Sequence, residues 1–280
     1  MGILYVVATP IGNLEDMSQR AIRILQEVSL IAAEDTRKTG RLLNAYDIKT
    51  PMTSYFEHSK LTKLDYILDC LEKSDVALVS DAGTPGLNDP GYDLIVAAAK
   101  RGVTVVPIPG PSVVVAALVV SGLPTDRFTY LGFLPRKAGD RRRFLKSVVD
   151  ESATLVVLET PHRLKESLAD MLDTLGDRHI AVCRELTKLY EEIFRGRVSE
   201  AIAHFTAPRG EFALVIDGKR EITKPGLTDD VTVRLQNIRR SGMTAKEAIA
   251  EVSKETGLPR KKLYRVWLTL SSSSDKKIDK

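Results

Sequence analysis

Residues 76–91 read VALVSDAGTPGLNDPG, an apolar run of strand character followed by a turn-rich segment. The part from Ser80 to Gly91 holds three glycines, two prolines and two aspartates, with Asp81 directly after the strand. Glycines and prolines in this density give a rigid, irregular backbone that can approach a ligand closely, although a plain connecting loop is the simpler alternative. The Gly-Lys-Ser/Thr ending of a Walker loop is missing. The segment therefore predicts a strand that ends in a binding loop.

The surrounding sequence predicts a largely parallel sheet. Short runs rich in β-branched residues alternate with amphipathic stretches that have helical spacing, such as Ser18–Val28 and Tyr92–Arg101. Such alternation is typical of strands joined by crossover helices, and functional residues in these sheets gather at the carboxyl ends of the strands. The predicted strands are Ile3–Ala8, Leu30–Ala33, Val76–Ser80 and Thr104–Ile108.

From Leu123 onward the pattern changes. Some of the candidate strands follow one another too closely for a crossover helix, which predicts a second α/β domain with a mixed sheet. We therefore divide this part of the chain into α/β domains at 1–122 and 123–218. The candidate strands of the second domain are Phe128–Gly132, Thr154–Glu159, His179–Arg184, Glu191–Gly196 and Glu211–Asp217.

The C-terminal quarter predicts a separate small module. Residues 219–230 have the composition of a linker. Residues 231–270 then hold three helical patterns, with Gly257 able to end the second helix and Pro259 able to open the third. The serine- and lysine-rich end, 271–280, is predicted to be disordered.

Composition narrows the class of protein. No run approaches the roughly 18 apolar residues that a membrane span requires, and the two cysteines, Cys70 and Cys183, are too few for a disulfide framework, so we interpret both as buried thiols in a reducing, cytoplasmic setting. The four histidines show no metal-ligand spacing, and no metal is predicted.

The formal charge of +4 is unevenly distributed along the chain: residues 219–280 carry 15 Lys and Arg against 8 Asp and Glu. This local excess indicates a polyanionic partner, although a solvated basic tail is an alternative.

The loop after the second strand places two carboxylates beside two cations. In Ala33-Glu34-Asp35-Thr36-Arg37-Lys38, a charged first helical turn capped by Asp35 or Thr36 is the structural interpretation. The functional interpretation is a polar cluster at a strand end, suited to binding a sugar or phosphate and to accepting a proton. A fourth loop, around Ser112, could cap the apolar helix that follows or offer backbone amides to a ligand.

Four stretches carry a family resemblance: LYVVATPIGNLEDMS (4–18), AAEDTRKTGRLL (32–43), LVSDAGTPGLNDPGYDL (78–94) and PIPGPSVVVAAL (107–118). In this order and spacing they resemble the tetrapyrrole methylase superfamily and, within it, the ribosomal RNA methyltransferases that modify a decoding-site cytidine of the small subunit at its ribose 2′-oxygen. The resemblance spans essentially the whole chain. It implies two α/β domains with S-adenosylmethionine in the cleft between them, a partner that is small-subunit ribosomal RNA or the assembled subunit, and a homodimer.

The resemblance also implies which residues contact the cofactor. In the first domain and at its border these are Pro10, Asp81, Gly83, Thr84, Leu87, Ser112 and Val113; in the second they are Leu131, Phe133, Glu159, Thr160, Ala213 and Leu214. Methyl transfer to a hydroxyl requires alignment and removal of a proton. Our hypothesis for the proton acceptor is a carboxylate among Glu34, Asp35 and Asp81, with Arg37 holding a phosphate or the nucleotide.

Two basic stretches are candidate RNA contacts. The loop 136–143 offers Arg136, Lys137, Arg141, Arg142 and Arg143 against one aspartate, and the last helix offers Arg260, Lys261 and Lys262. Phosphate contacts from such residues make binding steeply salt-dependent, whereas a solvated helix start is the structural alternative. Trp267 and Leu263 are interpreted as the small core of the C-terminal module rather than as a stacking platform.

Two other functions remain open at this point. The last fifty residues could form a helix-turn-helix in a ligand-regulated DNA-binding protein. Alternatively, a methyltransferase of this type could act on a tetrapyrrole or a protein side chain, but the basic loop and basic tail speak against a small metabolite, which needs neither.

Overall fold

The structure is a computed structural model that describes residues 1–55, 60–219 and 229–272. Residues Met1–Lys219 form one compact unit and Arg220–Lys280 a second. The predicted linker and tail fall largely outside the described residues. The bounds differ from the prediction at both ends of the module: a helix already begins at Asp229, and the last helix continues through Ser272, so Ser271 and Ser272 belong to the helix and not to a tail.

The first half of the larger unit is a five-stranded parallel sheet. Its chain order is β1 (Ile3–Val7), a short 3₁₀ turn (Leu14–Asp16), α1 (Gln19–Glu27), β2 (Leu30–Ala33), α2 (Thr36–Ala45), β3 (Met52–Ser54), α3 (Lys60–Leu71), β4 (Val76–Val79), α4 (Tyr92–Lys100), β5 (Thr104–Ile108) and α5 (Val113–Ser121). The strand order is β3-β2-β4-β1-β5. The four predicted strands are confirmed, whereas the three-residue edge strand β3 was not predicted.

Successive side chains of these strands point to opposite faces of the sheet, and helices cover both faces. Val7 and Ala77 pack with α1 and α2 on one face, while Leu4 and Leu78 pack with α3 and α4 on the other. Because both faces are buried, the inner strands β2 and β4 consist entirely of buried apolar residues, as expected for a parallel sheet.

The second half is a mixed five-stranded sheet. Its elements are β6 (Phe128–Phe133), α6 (Ala138–Ser147), β7 (Thr154–Glu159), α7 (Leu164–Leu175), β8 (His179–Arg184), β9 (Glu192–Arg197), α8 (Val198–His204) and β10 (Phe212–Ile216), with strand order β6-β7-β10-β8-β9. Only the β6–β7 pair is parallel within this sheet. The mixed sheet is therefore as predicted.

Helix α5 joins the two halves. It ends in a left-handed Gly122, and Val114, Ala117 and Leu118 pack on the face of the second sheet that carries Ala213. Helices α6, α7 and α8 cover the opposite face. The sheets fall on either side of residue 122, yet both belong to the same compact unit.

The smaller unit consists of α9 (Asp229–Arg240), α10 (Ala245–Thr256) and α11 (Arg260–Ser272). Thr244 and Glu247 form a reciprocal capping box at the start of α10, and Gly257 ends it in the left-handed conformation. Leu263 and Trp267 are buried in the core of the module together with residues of α9 and α10. In the part of the chain that the structure describes, no helix has the length and apolar character to cross a membrane.

Candidate active site

The loops that follow β1, β4 and β5 meet at one edge of the first sheet. Thr9 and Gly83 exchange two backbone hydrogen bonds of 2.9 Å, and Gly83 has the positive φ of 75° that lets the second loop turn back toward the first. The Thr84 hydroxyl donates to the carbonyl of Pro111 at 3.4 Å. These contacts fix three sequence-distant loops into one wall.

A cavity of about 350 Å³ lies between this wall and the second sheet. This is within the range of small-molecule pockets. We call it the first cavity. Its lining is apolar over most of its area, and Glu34, Asp81 and Asp89 place three carboxylates on the first-sheet side. The lining residues are Ile11, Glu34, Asp81–Thr84, Leu87–Asp89, Ser112–Val114, Tyr130, Phe133, Leu158–Pro161, Cys183, Leu186, Lys188 and Glu211–Ala213.

A β-bulge shapes the second-sheet side of the cavity. The β6–β7 register shifts between Tyr130 and Gly132, so Tyr130 and Phe133 both line the cavity although they are three residues apart. Gly132 has φ 65°, and a Cβ built on it would lie 2.2 Å from Nδ2 of Asn88. The bulge therefore brings β6 against the loop that follows β4.

The carboxylates on the first-sheet side form a connected cluster. Oε2 of Glu34 accepts the amide hydrogen of Asp81 at 3.0 Å, and Oδ1 of Asp81 accepts the amide hydrogen of Asp35 at 3.1 Å. Lys38 Nζ lies 2.7 Å from Oδ2 of Asp81. Backbone amides and one ammonium thus hold Glu34 and Asp81 in place at the mouth of the cavity.

Two members of this region have raised pKa values. Burial raises the pKa of Glu34, and repulsion from Asp81 adds to the effect, against the Asp81 amide and Lys38, which lower it. Burial also raises the pKa of Asp89 to about 6, with Glu34 and Asp81 adding repulsion. A carboxylate with a raised pKa is a better proton acceptor near neutral pH, and strongly shifted groups in a cleft mark candidate functional residues.

Asp35 and Arg37 have a structural arrangement. The Asp35 side chain caps α2 by accepting the Arg37 amide hydrogen, and its two oxygens pair with the Arg37 guanidinium at 3.1 and 2.9 Å. Those bonds lower the pKa of Asp35 to about 2, which makes it a weak base. Neither residue lines the first cavity, and the Arg37 side chain is 86% exposed. Of the predicted catalytic set, the structure brings Glu34 and Asp81 to the cavity and leaves out Asp35 and Arg37.

Most residues that the resemblance implies for the cofactor do line the first cavity, and three do not. Pro10 lines a neighbouring cavity on the other side of Asp81. The side chains of Leu131 and Leu214 pack into the core under α6, α7 and α8, because in each strand the neighbouring residue takes the cavity-facing position. Ten of the residues predicted to contact the cofactor line the cavity: Asp81, Gly83, Thr84, Leu87, Ser112, Val113, Phe133, Glu159, Thr160 and Ala213.

Several lining residues were not predicted. Asn88 and Asp89 belong to the turn-rich loop that was predicted to bind a ligand, so their place in that loop was a signal that could have identified them. Leu186 and Lys188 follow β8, where no local pattern marks them, and Lys188 is already paired with Glu185 and Glu211 at 3.0 and 2.8 Å. Cys183 is a buried thiol as predicted, and burial raises its pKa to about 11, whereas Cys70 is only partly buried.

The basic loop 136–143 divides into exposed and buried cations. Arg141 is 1% exposed and lies in an ion pair of 2.6 Å between its Nε and Oδ2 of Asp170. Arg142 takes the other oxygen of Asp170 at 2.6 Å and stays largely exposed. The prediction that Arg141 contacts RNA is therefore wrong, because the guanidinium holds α6 to α7. Arg136, Lys137, Arg142 and Arg143 remain exposed.

In the smaller unit, Arg260, Lys261 and Lys262 are exposed over the first turn of α11. The neighbouring buried positions, Leu263 and Trp267, face the core, with the Arg239 guanidinium 5.7 Å from the centre of the Trp267 ring. Trp267 and Leu263 are thus core residues, as predicted.

The chain belongs to the tetrapyrrole methylase family. The family described as Tetrapyrrole (Corrin/Porphyrin) Methylases matches residues 3–202, which include the first sheet and strands β6 to β9 of the second. A solved structure of a diphthine synthase matches the fold with a TM-score of 0.59 over 78% of this chain and 90% of that one, at 14% identity.

More similar relatives have a more specific name. The chain is 47% identical over 276 residues, 95% of its length and 94% of the relative's, to the ribosomal RNA small subunit methyltransferase I of Halalkalibacterium halodurans. It is 49% identical over 222 residues to the protein of the same name from Thermotoga maritima, an alignment that covers 78% of this chain and 100% of that one.

Proposed function

We propose that this chain transfers a methyl group from S-adenosylmethionine to the ribose 2′-hydroxyl of a cytidine in 16S ribosomal RNA. The observation that carries the proposal is that the four resembled stretches converge on one cavity with a carboxylate cluster at its mouth, in a chain collinear with relatives named as small-subunit ribosomal RNA methyltransferases. We further propose that it acts in the cytoplasm as a homodimer, which sedimentation of the full chain would test.

The first cavity fits this cofactor in size and chemistry. Its apolar lining, including Ile11, Val113 and Leu158, suits an adenine ring and methylene groups. The N-terminus of α5 opens into it, and Ser112 gives that helix no side-chain cap, so the first amides of the helix would be able to donate to the carboxylate group of the cofactor. The acidic side of the cavity suits a sulfonium.

The roles of the chain's own residues follow from their positions. S-adenosylmethionine, when bound, supplies an electrophilic methyl group. We assign proton acceptance from the ribose hydroxyl to Glu34, whose carboxylate lines the cavity and has a raised pKa. Repulsion from Asp81 raises the pKa of Glu34 and so favours uptake of the proton by its carboxylate. Lys38, paired with Asp81, limits the mutual repulsion.

Exposed cations would hold the RNA. On the larger unit these are Arg136, Lys137, Arg142 and Arg143, and on the smaller unit Arg260, Lys261 and Lys262. The Thermotoga maritima relative aligns over its full length with 222 residues, about the length of the larger unit alone. We therefore assign chemistry to the larger unit and additional RNA affinity to the helical module.

The test is transfer of a labelled methyl group from S-adenosylmethionine to unmodified small subunits, naked ribosomal RNA and protein fractions, with mapping of the product. A 2′-O-methylated cytidine in 16S RNA is expected. Glu34→Gln should lower turnover by a hundredfold or more and leave cofactor affinity within about threefold. Glu27→Gln, an exposed carboxylate at the end of α1, is the matched control and should behave like the parent chain.

Label in no RNA fraction, despite cofactor binding, would overturn the proposed substrate and favour the small-molecule or protein substrates handled elsewhere in this fold. Full activity of Glu34→Gln would remove Glu34 from the mechanism. Specific binding of duplex DNA by the full chain, with no methyl transfer to any fraction, would favour the DNA-binding alternative.

A further inference from the structure

A second cavity of about 270 Å³ adjoins the first. It lies between the loop after β1 and the first turns of α2, and Asp81 lines both cavities. The lining residues are Pro10, Gly12, Leu14, Lys38, Thr39, Arg41, Leu42, Ser80 and Asp81. We call it the α2 cavity.

The unpartnered hydroxyl of Thr39 indicates that the α2 cavity binds a ligand. Thr39 is 3% exposed, it lines the cavity, and its Oγ1 has no hydrogen-bond partner among the described residues. A buried hydroxyl without a partner destabilises the folded chain. A ligand that brings a donor or acceptor to Oγ1 would supply the missing bond.

The charges of the two cavities are opposite. The first cavity is lined by the carboxylates of Glu34, Asp81 and Asp89 on its first-sheet side. The α2 cavity has the cations of Lys38 and Arg41 against the single carboxylate of Asp81. Within the part of the chain that the structure describes, no carboxylate pairs with Arg41, so its guanidinium charge is available to an anionic ligand.

We infer that the α2 cavity receives a nucleotide of the RNA substrate, with Arg41 and Lys38 contacting its phosphate and Thr39 bonding to the nucleotide. Asp81, which lines both cavities, would then lie where the acceptor nucleotide meets the methyl donor, with Glu34 hydrogen-bonded to the Asp81 amide on the donor side. This inference rests on the proposed function, because it takes the first cavity as the donor site. The phosphate-binding role that the sequence assigned to Arg37 then belongs to Arg41, because the Arg37 guanidinium is paired with Asp35.

Binding of cytidine 3′,5′-bisphosphate to the full chain tests the inference. Isothermal titration calorimetry is done in the presence of saturating S-adenosylhomocysteine, so that the first cavity is filled. Arg41→Gln should weaken binding by roughly tenfold, as expected for one charge-assisted hydrogen bond. Thr39→Val should weaken it several-fold while the melting temperature stays the same or rises, since the lost hydroxyl has no partner among the residues that the structure describes. Arg23→Gln on α1 is the control and should bind as the parent chain does.

Three results would overturn the inference: no binding of the bisphosphate by the parent chain, unchanged binding in both Arg41→Gln and Thr39→Val, or inorganic phosphate binding as tightly as the nucleotide, which indicates an adventitious anion site. The proposed function is tested separately, by the assay of methyl transfer to RNA. A parent chain that binds the nucleotide without methylating RNA refutes only the function, whereas one that methylates RNA while Arg41→Gln and Thr39→Val both bind the nucleotide normally refutes only the nucleotide site.

Discussion

Asp89→Asn should stabilise the chain at neutral pH and leave its stability unchanged in acid. Burial and the carboxylates of Glu34 and Asp81 raise the pKa of Asp89 from 3.8 to about 6. A shift of about two units corresponds to about 3 kcal/mol at full effect. Because Asp89 is only half-buried, solvent screening reduces the expected gain to about 1–2 kcal/mol.

The sign of the pH dependence follows from which form the fold favours. A carboxyl with a higher pKa in the folded than in the unfolded chain stabilises the fold when protonated. That contribution is fully present below about pH 4 and is lost as the pH rises through 6. The asparagine variant does not ionise, so its advantage over the parent chain should grow from near zero at pH 4 to its full value at pH 7.5.

Urea unfolding of the parent chain and Asp89→Asn, at pH values between 4 and 8, measures this difference. Asp126→Asn, an exposed aspartate in the segment before β6, serves as the control and should show no comparable gain. An Asp89→Asn variant that is less stable at pH 7.5, or equally stabilised at pH 4 and 7.5, would refute the reasoning that repulsion and burial act on an ionised Asp89.

Three further predictions concern packing and binding. Arg141→Met should destabilise the chain by about 3 kcal/mol, at the low end for breaking a buried ion pair, because the buried Asp170 keeps only the largely exposed Arg142 as an ion-pair partner. Arg143→Met should change the unfolding free energy by less than about 0.5 kcal/mol, and equal effects of the two changes in urea titrations would contradict this. Gly132→Ala should weaken cofactor binding several-fold in calorimetry, since its Cβ would displace Asn88 and its φ is positive, while Gly139→Ala in α6, where a Cβ meets nothing within 4 Å, should not. The triple change of Arg260, Lys261 and Lys262 to glutamate should raise KM for small-subunit RNA and flatten its salt dependence with kcat unchanged; a salt dependence equal to that of the parent chain would refute an RNA contact there.

The sequence predicted the type of both sheets, one largely parallel and one mixed, and all of their strands except β3. Strand β4 and its loop could be predicted because apolar runs ended by glycine, proline and aspartate are local signals. The missed strand β3 is three residues long and forms only by pairing with β2. Such a strand carries no periodicity of its own, so only the tertiary structure could decide it.

The site shows the same division at the level of single residues. The motifs identified the loops that meet at the first cavity, because each motif follows the carboxyl end of a predicted strand and these ends lie at one edge of a parallel sheet. They could not assign Leu214 and Ala213 to opposite faces of β10, since that depends on the register of the strand.

The sequence likewise shows which residues are charged, but not which of those charges are buried or paired. Arg141 and Arg143 are equivalent in a basic run, yet the first is buried on Asp170, 29 positions away, and the second is exposed. The fates of Asp35 and Glu34 separate for the same reason: one caps α2 and the other faces the cavity. By itself the sequence determined the α/β class, most of the strands, the binding loops and the surplus of cations, because these follow from local patterns. The tertiary structure alone decided which charges are neutralised by partners far along the chain, because burial and ion pairing depend on distance in space.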